Sequence, residues 1–195
     1  MFQTLEKTNT NGSNRQAPTL LNEFEVGERQ LTPVQDGTLA IGAAADKKIH
    51  VMDLNSGQTM TIEAHSAPVR AVRFVNVPSA NGPIIASGSW DKTVRYWDMR
   101  QPQPIGTLQL PERVYAMDAD GPLLTAATAD NQLQLVNLHG NPLQVSKSIK
   151  SPLNHQTTSL SVCPGGTRWA IGGIDGRAAA QVSDEKDKRY AFPPT

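Results

Sequence analysis

The chain has 195 residues, 38% of them hydrophobic and 18% charged, with a formal net charge of zero and a pI near 6.9. That balance excludes a grip on nucleic acid through bulk positive charge and leaves only local basic patches for such contacts. The single cysteine, Cys163, excludes an internal disulfide framework, and no apolar run approaches the roughly 18 residues of a membrane span.

Residues 1–28 are polar and irregular, with the run Thr8-Asn9-Thr10-Asn11-Gly12-Ser13-Asn14, and carry too little apolar surface to offset the entropy of ordering. They read as a disordered tail without a signal-peptide core, which sets the expectation of an intracellular, reducing location. Residues 29–195 read as one β-domain. Phe24 and Val26 offer a weak strand just ahead of it, and the first unit is otherwise short of an inner strand. From Leu31 strands follow one another, with Asp36-Gly37 turning into 39–43 and an alternating strand at 49–52. An outer strand is expected at 58–63, a loop at 64–68 and an inner strand at 69–75. Two prolines and Asn81-Gly82 make 76–83 a surface loop. Next come two strands around the tight turn Asp91-Lys92-Thr93, a proline-rich link at 100–104, an outer strand at 105–110, the loop Pro111-Glu112-Arg113 and an inner strand at 114–118. The last unit runs from Ser159 through the turn Cys163-Pro164-Gly165-Gly166-Thr167 to Gln181. After a charged run at 184–189, Tyr190-Ala191-Phe192 has room for one more outer strand.

These strands repeat. The turn aspartates Asp46, Asp91, Asp130 and Asp175 recur at intervals of 45, 39 and 45 residues. Each follows a strand of small residues and precedes an alternating one, and the second hairpin closes on Trp97-Asp98. A period of roughly 40 to 45 residues ending in Trp-Asp is the signature of a WD40 blade. The expected fold is therefore all-β, a WD40 β-propeller segment of about four blades with the first and last incomplete. Such blades tie a loop His, a strand hydroxyl, the turn Asp and the Trp into one buried hydrogen-bonded set; here that set is His65, Ser87 or Ser89, Asp91 and Trp97. Buried polar groups left unpaired cost a few kcal/mol each, about 1–3 by mutation, which is reason for such a set to recur. In the third unit Val136-Asn137 stands where Trp-Asp would be, so its set is degenerate.

Chain direction alternates within a blade, so the loops before the inner strands and the Asp turns share one rim. Lys47, His65, Trp90, Lys92, Glu112, Arg113, Asn131, His155 and Arg177 fall there. Trp90 lies outside the buried set, and an exposed Trp with cations nearby suits an interface hot spot or a stacking platform; the bland alternative is packing on the neighbouring blade. Arg177 follows a turn glycine and can pair with a carboxylate or phosphate, against the alternative of a solvated turn arginine. Lys92 and Arg113 are weaker candidates for the same surface.

No catalytic constellation is left over. His65 and Asp91 belong to the blade's internal bonds and His155 stands in the corresponding loop of the last unit, so no free general base remains. His50, His65, His139 and His155 have no metal-ligand spacing with Cys163, which ends an inner strand and reads as packing. The glycines at 165, 166, 172, 173 and 176 precede no helix and form no phosphate cradle. The expectation is a non-enzymatic protein with no catalytic residue, no metal, no cofactor and no small-molecule substrate.

Several segments resemble one WD40 family, the mRNA export factors that dock at nuclear pores, and its fungal members most. They are Ala67-Pro68-Val69-Arg70, the stretch from Gly88 to Pro104 (GSWDKTVRYWDMRQPQP), Leu110-Pro111-Glu112-Arg113-Val114-Tyr115, Ser151-Pro152-Leu153-Asn154-His155-Gln156 and Ile174-Asp175-Gly176-Arg177. The similarity covers roughly residues 37 to 192. It implies a seven-bladed ring, docking of a short acidic-aromatic hairpin motif from a nucleoporin, weak contact with single-stranded RNA or messenger ribonucleoprotein, no membrane partner, and a location in the nucleus at the nuclear pore complex and also in the cytoplasm. It places Trp90 and Arg177 in partner docking. With four units where that family has about seven, the chain reads as partial, and an open arc is expected to be marginal alone. The sister family of spindle-checkpoint propellers, which bind kinetochore peptides, shares the Gly-Ser-Trp-Asp, Pro-Glu and Gly-Arg elements and is the alternative.

Overall fold

The computed structural model of the chain describes residues 31–33, 38–80, 82–182 and 190–192. The 1–28 tail with Phe24 and Val26, the Asp36-Gly37 turn and the 184–189 charged run lie outside the described residues. Among the described residues the regular structure is sixteen β-strands in four sheets, each a meander of four antiparallel strands. The first holds β1 (Leu31–Pro33), β2 (Leu39–Ala43), β3 (Lys48–Asp53) and β4 (Thr59–Glu63). The second holds β5 (Val69–Val75), β6 (Ile84–Ser89), β7 (Thr93–Asp98) and β8 (Gly106–Gln109). The third holds β9 (Val114–Asp120), β10 (Leu123–Thr128), β11 (Gln132–Asn137) and β12 (Lys147–Lys150), and the fourth β13 (Thr157–Val162), β14 (Arg168–Gly173), β15 (Ala178–Val182) and β16 (Tyr190–Phe192).

Sequence composition sets the depth of each strand. β6 and β10 are buried at every residue. They can be, because Ala86, Ser87 and Gly88 in one and Ala126 and Ala127 in the other let neighbouring sheets approach both faces. The outer strands β4 and β12 are mostly exposed and rich in Thr, Glu and Lys.

The hairpin turns are alike for a physical reason. Lys47, Lys92, Asn131 and Gly176, each directly after its aspartate, have φ of 74°, 66°, 61° and 77°. A left-handed residue there reverses the chain in few residues, and the aspartate stabilises it by accepting the amide two positions on. Lys48 N reaches Asp46 Oδ1 at 3.0 Å, Thr93 N reaches Asp91 Oδ1 at 3.1 Å and Arg177 N reaches Asp175 Oδ1 at 3.4 Å. Asp130 instead accepts from Thr128 Oγ1 at 2.6 Å.

Successive sheets stack face to face. Ile41, Ile49, Val72, Ile85 and Trp97 fill the space between the first and second sheets; Val94, Tyr96, Val114, Met117 and Leu124 that between the second and third; Leu133, Leu135, Leu160, Trp169 and Ile171 that between the third and fourth. The inner strands β5, β9 and β13 are neighbours. A carboxylate ties them together: Asp118 on β9 pairs with Arg73 Nε on β5 through Oδ1 and accepts the Val162 amide of β13 at 2.7 Å through Oδ2. Burying apolar sheet faces against one another is the main stabilising term in such a stack.

Cys163 departs from the packing expected of it. It is exposed, because it falls just past β13 in a turn closed by Cys163 N donating to Arg168 O at 2.8 Å, and its side chain leaves the sheet there.

Candidate functional site

The Asp91 turn is supported from beneath by a directed chain of hydrogen bonds. Trp97 Nε1 donates to Ser87 Oγ at 2.9 Å, Ser87 Oγ lies 2.7 Å from His65 Nε2, and His65 Nδ1 lies 2.9 Å from Asp91 Oδ2. An indole N–H can only donate, so Ser87 accepts it and donates its own hydroxyl hydrogen to Nε2, which assigns the ring N–H to Nδ1, donating to the carboxylate. Thr93 Oγ1 reaches the other oxygen, Asp91 Oδ1, at 2.6 Å, and Ser66 N donates to Oδ2 at 3.2 Å. Burial is the largest single influence on the Asp91 carboxyl and works to raise it. The hydrogen bonds from His65 and Thr93, the His65 ring beside it and the Ser66 amide together overcome burial and hold the group well below the usual carboxylate range.

Of the two serines offered for this set, Ser87 carries the link to Trp97. Ser89 works instead at the entrance to the sheet. Its Oγ lies 3.0 Å from Ala67 O and 2.9 Å from Pro68 O and accepts the Asp91 amide at 3.2 Å, which fastens the entering loop to the turn. The His65 side chain is fully buried, so it has no reach toward a substrate. Among the described residues the other sheets do without this chain. Asp46 is met by His50 Nε2 at 3.0 Å from its own sheet, and in the fourth sheet buried Trp169 Nε1 donates to Gln181 Oε1 at 3.3 Å, while His155 is exposed.

Above this support the turns and entering loops are knitted into a continuous rim. His65 N donates to Lys47 O at 3.0 Å, Trp90 N to Pro68 O at 3.1 Å, Leu110 N to Lys92 O at 2.8 Å, Ala129 N to Arg113 O at 2.9 Å, Ser151 N to Asn131 O at 2.9 Å and Ile174 N to Gln156 O at 3.0 Å. Trp90 is half-buried rather than open: it meets Tyr115 of β9 edge-on, with ring centroids 6.2 Å apart, and its Nε1 is buried without a hydrogen-bond partner. The next sheet supplies Tyr115 at that height, so the indole packs in part and stays partly accessible. Lys92 Nζ lies 2.7 Å from Glu112 Oε1, and that contact with the Arg113 amide lowers the Glu112 carboxyl. Arg113 is exposed, as is Arg177, whose Nε lies 3.6 Å from Asp175 Oδ2. Trp90, Lys92 and Arg113 therefore cluster at the junction of the second and third sheets. Arg177 stands on the turn of the fourth.

One feature is not visible in the sequence. At the opposite ends of the strands a cleft of about 410 Å³ is lined by Val77, Ala80, Tyr96, Arg100, Ile105 and Leu143, among others. Tyr96 Oη donates to Pro142 O at 2.8 Å across its floor, and Arg100 grips Asp98 through Nε and Nη2, which holds the Asp98 carboxyl down at about 2. The proline-rich 100–104 link marks a loop in the sequence but not the cleft it borders.

Stacked four-stranded meanders with an aspartate turn and a buried Trp–Ser–His–Asp chain define a class, and the family model for the WD domain, G-beta repeat, matches residues 56–98. The matched span runs from β4 to β7, one strand out of phase with the sheet, so each sequence repeat links two adjacent blades. The chain is a WD40-repeat protein. It is 46% identical over 158 residues to the Poly(A)+ RNA export protein of Schizosaccharomyces pombe, covering 81% of this chain and 44% of that one. It is 43% identical over 158 residues to mRNA export factor GLE2 of Chaetomium thermophilum, covering 81% and 43%, and 34% identical over 166 residues to Mitotic checkpoint protein BUB3.1 of Arabidopsis thaliana, covering 80% and 47%. The chain thus spans less than half the length of the curated relatives it matches.

Proposed function

We propose that the chain serves nuclear mRNA export as a non-enzymatic scaffold, its rim docking a nucleoporin peptide and so linking messenger ribonucleoprotein to the nuclear pore complex. The observation that carries this reading is the pairing of a rim built from rigid turns with 43–46% identity, over four-fifths of the chain, to proteins named as RNA export factors. Trp90 offers a partly packed aromatic edge and Arg113 and Arg177 offer exposed guanidinium groups, a combination suited to a hot spot for an acidic-aromatic segment. RNA contact on this reading is weak and falls steeply with salt, since it rests on a few Lys and Arg.

The 34% identity to a mitotic checkpoint protein supports a second reading, an adaptor for kinetochore peptides. A pull-down that sets a pore-derived hairpin peptide against a kinetochore peptide separates the two. The double substitution Trp90→Ala and Arg177→Ala is expected to abolish capture of the preferred peptide. Unchanged capture by that variant would exclude the rim as the docking surface.

A further inference from the structure

Both of the rim's best-placed cations already carry a carboxylate, and the two pairs are built differently. Asp175 lies in the same turn as Arg177, two residues away, and also accepts that residue's amide. Its carboxylate is part of the turn. Glu112 belongs to the loop that enters the third sheet and reaches back over the sheet boundary to Lys92, twenty residues earlier in the chain. Lys92 itself is fixed: its φ is 66°, and its carbonyl accepts both Leu110 N at 2.8 Å and Gln109 Nε2 at 3.2 Å. The backbone therefore keeps its place whether or not Glu112 holds the ammonium, which stays tethered within reach of this part of the rim. Glu112 is 35% exposed in its side chain, and its other hydrogen bond among the described residues is Oε2 accepting the Arg113 amide at 3.2 Å, which it can keep while Oε1 lets go.

We propose that Glu112 is an exchangeable internal ligand for Lys92, displaced by an Asp or Glu of the docking peptide, so that the rim selects carboxylate-bearing peptides. This rests on the rim-docking reading above. An incoming carboxylate restores to Lys92 the pair that Glu112 gives up, while Glu112 keeps its bond to the Arg113 amide. A phosphodiester chain is served worse, because it gains affinity from several cations free to release its counterions, and here Lys92 and Arg177 are both paired in a chain of zero net charge. Glu112 thus acts as a threshold: an anion that cannot outcompete it gains nothing from Lys92.

The test uses the full chain, a synthetic pore-derived hairpin peptide, the same peptide with its acidic residues changed to Gln and Asn, and a single-stranded oligouridylate. Glu112→Gln uncovers Lys92 and is expected to tighten the acidic peptide roughly two- to five-fold, the range of an exposed ion pair, while leaving the neutralised peptide unchanged. Acylation footprinting gives a readout independent of any partner: Lys92 is expected to react more slowly than Lys47 in the native chain and to lose that protection in Glu112→Gln. Unchanged or weaker binding of the acidic peptide by Glu112→Gln, beside a loss in Arg177→Ala, overturns the exchange and spares the docking reading. Absence of binding by every form overturns the docking reading and the exchange with it. Equal tightening toward the oligouridylate overturns the selection of carboxylates in favour of a general anion site.

Discussion

Ser87 Oγ lies 2.7 Å from His65 Nε2, which joins the deepest strand of the second sheet to the loop that enters it. The same hydroxyl accepts Trp97 Nε1, so removing it strands one donor and one acceptor in an interior site. Ser87→Ala is expected to cost about 1–3 kcal/mol in denaturant unfolding, the range for leaving buried polar groups unpaired. Ser89→Ala, whose partners are carbonyls and an amide at the edge of the loop, is expected to cost less. Equal losses for the two serines would contradict the assignment of Ser87 to the buried chain.

The Asp91 carboxyl predicts an acid dependence with a definite sign. Its folded value lies below the unfolded one, so it contributes stability that is fully present above the ordinary carboxylate value of about 3.9 and is lost as pH falls through that value toward the folded one. Asp98, lowered to about 2 by Arg100, adds in the same direction. Urea midpoints measured from pH 7 down to pH 3 should hold and then decline below about pH 5, and Asp91→Asn should flatten part of that decline. Parallel curves for the native chain and Asp91→Asn would show that this carboxylate is not linked to folding.

Gly88 marks where two sheets come closest. A Cβ there would stand 2.9 Å from Val114 Cγ1 and 3.2 Å from Met117 Sδ, both buried. At Gly106 the nearest atom is Leu143 Cδ2, at 2.5 Å, on an exposed side chain free to swing aside. Gly88→Ala is therefore expected to destabilise by about 1–3 kcal/mol, as overpacking does in a close-packed interior, and Gly106→Ala by much less. Thermal unfolding of the two variants side by side checks the order, and a reversal would mean that β6 and β9 are farther apart than described.

Much of this architecture is legible in the sequence because aspartate turns and alternating strands are local signals. Asp46, Asp91, Asp130 and Asp175 set the period, and the small-residue strands Leu39–Ala43 and Ile84–Ser89 and the alternating strand Lys48–Asp53 fall to either side of the turns as the repeat requires. What stays hidden depends on contacts across sheets. Ser87 and Ser89 are two residues apart and share a face, so parity alone cannot choose between them; the level of Trp97 on the adjacent strand does. Trp90 reads as an exposed aromatic, and only the position of Tyr115 on the next sheet makes it half-buried. Lys92 and Glu112 both fall on the rim by sequence, yet their pairing over twenty residues needs the loop to fold back. Cys163 reads as packing because it ends a strand, one residue too late to remain in it.

Amide hydrogen exchange in the presence and absence of the pore-derived hairpin peptide tests the central claim, docking on the rim, most directly, since it reports which end of the stacked sheets a partner covers. Slowed exchange is expected in the turns and entering loops, at 64–68, 90–92, 110–113 and 174–177, with no change at the opposite connections, 54–57, 99–105 and 139–145. Protection confined to those opposite connections would contradict rim docking.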